Sequence, residues 1–287
     1  MNIPHNSVRM MSFNILYDYG DESPYSWKSR KEYVFSLLKF HAPDIFCLQE
    51  PLRPQVDDLA DYFSEYSYLT AGCGDGINAG QHMTIFYLND KFEILDSNKF
   101  GLSETPMKLG IVGWDAKNPR LALWAKLLQK STGQIVCIIN THLDHIGETA
   151  RQQSALLLGN KVNEIVGDIP VLICGDFNAS PESQTYRNML DSGFIDCADA
   201  PDIVSYDLPY TYHRYLLGGD KSEVEKYKDD PRVLKIIDHI FYKGEIQVLR
   251  HGILGDNFAG IYPSDHLPKI CDVLIETVHK QPYLEIQ

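Results

Sequence analysis

Long hydrophobic runs are missing from this chain: no apolar stretch approaches the ~20 residues that a helix needs to cross a bilayer. The segment from Met1 to Met11 carries Pro4, His5, Asn6 and Arg9 and holds no apolar core of a signal peptide. A cytoplasmic protein without a membrane anchor is therefore expected. Cysteine is sparse and unpatterned. Cys47, Cys73, Cys137, Cys174, Cys197 and Cys271 show no C-x-x-C spacing, and several sit in apolar strand-like runs such as Ile135 to Ile139, so they read as buried thiols. An excess of positive charge is lacking too: 26 Lys and Arg against 39 Asp and Glu leave a net charge of −13. A coat that binds nucleic acid through bulk charge is excluded. The sequence has no tandem repeat, no low-complexity tract, no H-E-x-x-H zinc helix and no nucleophilic Ser or Cys elbow.

What is present is ordinary globular composition, 44% hydrophobic and 23% charged over 287 residues, and one domain spanning 1–287 is expected. From Val8 to Tyr17 the chain alternates, with Met10, Ser12 and Asn14 on the face opposite Met11, Phe13 and Ile15. Trp27 to His41 places Val34, Leu37, Leu38 and His41 at helical spacing before Pro43. Asp44 to Glu50 reads as a buried strand ending in an acid. A helix from Pro54 to Ser64 and strands at Tyr66 to Ala71, His82 to Leu88 and Phe92 to Phe100 follow. The same grammar continues with strands at Leu121 to Gln129 and Ile135 to His142, and a helix at Thr149 to Val166. A strand at Val171 to Gly175 and a helix at Glu182 to Leu190 come next. The last strands lie at Ile236 to Tyr242, Ile246 to His251 and Lys269 to Ile275. Two strand-rich layers with helices outside emerge, with no linker between them. The crowded charges of Gly218 to Arg232, including Asp220, Lys221, Glu223 and Lys228, read as a solvated surface loop, with a substrate-facing lid as the alternative.

The strand ends carry the chemistry. Asn14, Glu50, Asn140-Thr141-His142, Asp176-Phe177-Asn178 and Asp238-His239 put carboxylate, amide and imidazole groups there, and Ser264-Asp265-His266 precedes the last strand. Polar ends contribute nothing to a core, whereas a site at one rim of a sheet sandwich gathers all of them. These residue types suit phosphoester hydrolysis with a hard cation, Mg²⁺ or Mn²⁺, which takes oxygen ligands and leaves donors for the phosphate.

In Met11-Ser12-Phe13-Asn14, Leu48-Gln49-Glu50, Asn140-Thr141-His142-Leu143, Gly175-Asp176-Phe177-Asn178, Ile237-Asp238-His239-Ile240 and Ser264-Asp265-His266 the sequence resembles the endonuclease/exonuclease/phosphatase superfamily over nearly its whole length. The resemblance implies a four-layer α/β sandwich, with two mostly antiparallel β-sheets packed face to face and helices on the outer sides. It implies that Glu50 binds the metal with Asn14 and Asp265 assisting, and that Asp176 orients or deprotonates the attacking water beside Asn178. His266, paired with Asp238, would face the scissile phosphate, and His142 would donate to the phosphate or protonate the leaving oxygen. His239 stands where many members have Tyr; as the strand neighbour of Asp238 it should point the other way and pack.

Gly113-Trp114-Asp115-Ala116, Pro119-Arg120 and Thr141-His142-Leu143-Asp144-His145 with Arg151 resemble a compact bacterial branch of metal-dependent hydrolases. Arg120 is the candidate phosphate clamp, Arg151 a brace at the rim and Trp114 a candidate pocket wall. Asp144 and His145 either join the site or anchor the loop after the strand. The leading expectation is a metal-dependent phosphoesterase acting on a phosphodiester or phosphomonoester by in-line attack of water. Its substrate would be a phosphorylated small molecule or a nucleic acid. A nuclease on single-stranded RNA or DNA is the alternative, although no basic cluster tracks a polymer. A non-catalytic binding module on the same fold would have lost one of Glu50, Asp176, Asn178, Asp238 and His266, and all five are present. A monomer is the default.

Overall fold

The computed structural model describes residues 3–20, 23–218, 225–226 and 229–276. The chain runs through β1 (Val8–Asn14), α1 (Trp27–His41), β2 (Ile45–Gln49), α2 (Arg53–Tyr62), β3 (Tyr66–Gly72), β4 (His82–Leu88), β5 (Phe92–Gly101) and β6 (Leu121–Gln129). It continues through β7 (Gln134–His142), α3 (Glu148–Val166), β8 (Val171–Asp176), α4 (Gln184–Asp191), β9 (Ile195–Asp196) and β10 (Val204–Tyr206). It closes with β11 (Asp238–Lys243), β12 (Ile246–Ile253) and β13 (Lys269–Ile275). One sheet has the order β10-β12-β13-β1-β2-β4-β3 and the other β5-β6-β7-β8-β11-β9. Among the described residues only β1–β2, β10–β12 and β7–β8 pair in parallel; the other pairings are antiparallel.

Side-chain alternation explains the four layers. In β1, Val8 and Met10 enter the apolar cluster between the sheets, where Leu172, Cys174, Ile240 and Val136 of the other sheet meet them. Met11 and Phe13 point the other way, onto Trp27, Val34 and Leu38 of α1 and Leu59 of α2. Ile139 and Ile173 likewise leave the sheet interface to pack on Leu158 and Val162 of α3 and Met189 of α4. The central strands β1, β2, β4, β7, β8 and β11 are thus buried on both faces and rich in apolar residues, whereas the edge strands β5 and β10 keep exposed residues. All six cysteines are buried and free.

Several boundaries differ from those the sequence suggests. α2 begins at Arg53, with Pro54 in its first turn where the missing N–H costs nothing, and ends at Tyr62. α4 begins at Gln184 because Ser183 is its N-cap, with its side chain accepting from Tyr186 N. β11 begins at Asp238, since the amides of Ile237 and Asp238 both donate to Thr211 Oγ1. β9 and β10 are two and three residues long, too short to leave a periodic signal. Asp220, Lys221, Glu223 and Lys228 of the charged stretch lie outside the described residues. Among the described residues no helix is long and apolar enough to cross a membrane.

Candidate active site

The parity that sends Met10, Val136, Leu172, Cys174 and Ile240 between the sheets also sends Asn14, His142, Asp176 and Asp238 to that face, at its open rim. Register then aligns them: His142 pairs with Asp176 across β7–β8, and Asp176 with Asp238 across β8–β11. Glu50 and Asn178 follow their strands with positive φ of 74° and 48°, turns that aim their side chains into the rim at a conformational cost. Gly175 is required beside them. A Cβ there would stand 1.9 Å from Thr141 O, so only glycine lets β8 run this close to β7.

Asp176 is the hub. Its Oδ2 accepts from Asn14 Nδ2 at 3.0 Å and lies 3.3 Å from His142 Nε2 and 3.7 Å from His266 Nε2. Its Oδ1 accepts from the Asn178 amide at 2.8 Å. Asn14 Nδ2 also reaches Glu50 Oε1 at 3.2 Å, while its Oδ1 accepts from Leu16 N at 3.0 Å, so this amide orients both carboxylates. His266 Nδ1 meets Asp238 Oδ2 at 2.9 Å. Asn178 Nδ2 lies 3.1 Å from His142 Nε2 and donates to Leu143 O, leaving the buried His142 Nδ1 without a hydrogen bond, 4.0 Å from Glu50 Oε1. Asp265 Oδ2 accepts from Arg214 at 2.8 Å.

The electrostatics follow from this crowding. Burial, then the neighbouring Asp238, raises the Asp176 carboxyl above the usual range, with His266 opposing. Burial and Asp265 raise Glu50. Burial works against the His266 imidazolium, but Asp238 and Asp176 outweigh it and hold the group up to about 10, so it is a cation at neutral pH. Burial, Arg120 and His266 push His142 well below its ordinary value, so it is neutral.

Among the described residues two groups have donor atoms that all lie within 4.8 Å of one another inside the group: Glu50, His142 and Asp176, and Asp176, Asp238 and His266. Carboxylate oxygens dominate, and the crowding that raises Glu50 and Asp176 is relieved by a cation among them. The donor set fits a hard divalent ion.

Above these groups opens a cleft of about 330 Å³. Glu50, His142, Asp176, Asn178, Asp265, His266 and Arg120 line it, whereas Asn14 and Asp238 stand behind. Arg120 is 5% exposed and its Nε makes no hydrogen bond, although Asp144 Oδ2 lies 3.7 Å away. Trp114 is outside this lining, its amide donating to Glu104, and Arg151 lines a neighbouring depression. Asp144 anchors its loop by accepting from Ile146 N and Gly147 N, and His145 faces the cleft. His239 turns to the opposite face, against Asp196 Oδ2 at 2.8 Å and Ala179 O at 2.9 Å.

Sequence reasoning passed over Tyr17, Tyr19, Tyr212 and Arg214, which line the cleft together with Asp230 and Arg232 of the charged stretch. Arg214 sits in an aromatic run with no chemical motif. Asp230 and Arg232 correct the solvated-loop expectation for the end of the 218–232 stretch: Arg232 is drawn in by Asn178 Oδ1 at 3.0 Å and stands over the Tyr212 ring.

Known proteins are similar to this chain in sequence and fold. An endonuclease/exonuclease/phosphatase of Bacteroides vulgatus is 36% identical with a TM-score of 0.83, over 94% of this chain and 99% of that one. A mannosyl-6-phosphatase of Bacteroides thetaiotaomicron is 31% identical with a TM-score of 0.82, over 93% and 99%. Mouse nocturnin is 25% identical over 303 residues, 93% of this chain, which spans 66% of that protein's length. A sequence profile matches residues 11–266, and the chain belongs to the Endonuclease/Exonuclease/phosphatase family.

Proposed function

We propose that this protein is a divalent-metal-dependent hydrolase of phosphoester bonds, acting as one catalytic unit by in-line attack of water. The convergence on Asp176 carries the reading: a buried carboxylate of raised basicity stands between a neutral imidazole, His142, and a cationic one, His266. Glu50, with Asp176 and Asp265 close by, is the group to hold Mg²⁺ or Mn²⁺, and Asn14 fixes the carboxylates. Such an ion, when bound, supplies charge neutralisation for the phosphoryl oxygens. Asp176, held by Asn14 and the Asn178 amide, orients water and takes its proton. The His266 cation, held by Asp238, meets charge growing on the phosphoryl oxygens, and Arg120 clamps a phosphate oxygen. The free Nδ1 of His142 donates toward the same oxygens.

A phosphorylated small molecule is the favoured substrate. The net charge of −13 disfavours a long polyanion, and the mannosyl-6-phosphatase aligns over 99% of its chain. Nuclease action is the second reading, supported by similarity to an exoribonuclease subunit, Ccr4, of Mycosarcoma maydis at 24% identity. A panel of phosphomonoesters, diesters, sugar phosphates, nucleotides and single-stranded RNA and DNA, run with Mg²⁺ or Mn²⁺ and with EDTA, tests both. EDTA-sensitive monoester turnover supports the first reading and polymer degradation the second. Absence of metal-dependent turnover on the whole panel contradicts both.

A further inference from the structure

Helix α1 carries a cation where its buried stripe calls for an apolar residue. Arg30 shares the inward face with Trp27, Val34, Leu37 and Leu38 and is 0% exposed. A buried charge is costly unless it is paired, yet among the described residues the hydrogen bonds of Arg30 all go to backbone carbonyls. Its Nε donates to Tyr25 O at 2.8 Å, its Nη1 to Ile15 O and, at 3.0 Å, to Pro263 O, and its Nη2 to Leu16 O. The Trp27 ring covers the guanidinium, with its centroid 5.4 Å away. An apolar side chain of similar length would fill this place without desolvating a charge, so the reason for a guanidinium lies in what its carbonyl partners belong to.

They belong to the two segments that bring the site together. Ile15 and Leu16 form the turn that leaves β1 after Asn14, and Leu16 takes a positive φ of 56° there. From this turn the Leu16 amide donates to Asn14 Oδ1 at 3.0 Å and the Tyr17 amide to Glu50 Oε2 at 3.3 Å. Pro263, 233 residues from Arg30 along the chain, leads into Ser264-Asp265-His266. One planar group thus ties the turn that fixes Asn14 and Glu50 to the segment that supplies Asp265 and His266. Two weaker ties assist: Ser264 Oγ donates to Asn14 O at 2.7 Å, and Gln55 Nε2 to Leu16 O at 3.1 Å. Of the three side chains, only Arg30 bonds both the turn carbonyls and Pro263. Arg30 is not part of the cleft lining, so it acts through these segments.

We infer that Arg30 is a positioning residue, which sets the separation between the Glu50 side and the Asp265–His266 side of the cleft and thereby the fit for the divalent ion and the phosphate. The inference rests on the phosphoesterase reading of the cleft. A guanidinium spans divergent carbonyls with a rigid fork, which the single ammonium of a lysine does not reproduce.

Wild type, Arg30→Lys and Arg30→Met, checked for folding by circular dichroism, are titrated with Mn²⁺ by calorimetry and assayed at saturating Mn²⁺ on a phosphoester that the wild type turns over. Loss of a group that orients ligands from behind costs roughly ten- to a hundredfold in metal affinity or activity. Both variants are expected to bind Mn²⁺ about tenfold more weakly at unchanged stoichiometry, and to lose about tenfold or more in kcat with KM changed less than about twofold. A residue serving only the fold would lower the amount of Mn²⁺ bound per chain, or the unfolding midpoint, and leave the dissociation constant where it was. That result, wild-type Mn²⁺ affinity or wild-type kcat in a folded variant, or failure of both variants to fold, overturns the positioning role. A wild type that binds no Mn²⁺ overturns the metal-dependent reading and this inference with it. The Mn²⁺ titration needs no turnover, so it decides on Arg30 separately from the activity panel, on which the hydrolase reading stands or falls.

Discussion

His266 Nδ1 lies 2.9 Å from Asp238 Oδ2, with both side chains buried at the sheet rim. Burial disfavours the imidazolium, yet Asp238 and Asp176 hold the group up to about 10 against an ordinary 6.5. A folded-state value above the unfolded one means that the stabilisation is complete below about pH 6.5 and is lost as pH rises toward 10. Urea unfolding in EDTA should therefore show stability falling across that window. Asp238→Asn should flatten the slope, and an unchanged slope would show that the pair does not hold the charge.

The Asp196 carboxylate tests the opposite sign. Burial alone would raise it, but Lys269 and His239 outweigh burial and hold it below the ordinary carboxylate range. Its contribution is present above about pH 4 and disappears as pH falls further. Asp196→Asn is expected to remove part of the acid-induced loss of stability, measured as the difference in unfolding midpoint between about pH 3 and pH 7. An acid limb identical to the wild type's would contradict this.

Asn140 joins the two sheets just inside the site. Its Oδ1 accepts from Gln49 Nε2 at 2.7 Å, and its Nδ2 donates to Leu48 O and Thr84 O at 2.8 and 3.0 Å. Asn140→Ala strands these buried groups and should cost about 3 kcal/mol in unfolding free energy. A loss under about 0.5 kcal/mol, the range of an inconsequential surface change, would contradict the clasp.

Arg120 tests the substrate side. Arg120→Ala is expected to lower kcat/KM on the preferred phosphoester by about ten- to a hundredfold, and Arg120→Lys to restore little, because an ammonium lacks the planar fork. Full rescue by lysine would reduce the residue to a point charge.

The sequence made the sheets and the strand-end residues legible because both depend on alternation. Met10 and Asn14, or Cys174 and Asp176, share a face whatever the tertiary context, so polar ends on apolar strands announced a rim. β9 and β10 were invisible because two or three residues carry no period. Arg214 was invisible, and Arg232 legible only as one charge of a crowded loop, for a different reason. Their place is set by contacts across 51 and 54 residues, with Asp265 and Asn178, that no local pattern encodes. Trp114, chosen for its neighbours in sequence, does not line the cleft; its amide donates to Glu104. Asn140, which shares a strand end with His142, proved to be an inter-sheet clasp one step inside the rim.

The most direct measurement compares wild type and Asp176→Asn on a phosphoester that the wild type turns over, with saturating Mn²⁺ and with EDTA, after circular dichroism shows both folded. The proton acceptor and the hub of the site are lost together in the variant, so its metal-dependent rate should fall by a factor of about 10² or more, toward the wild-type rate in EDTA. A folded Asp176→Asn protein that keeps full metal-dependent turnover would contradict the account.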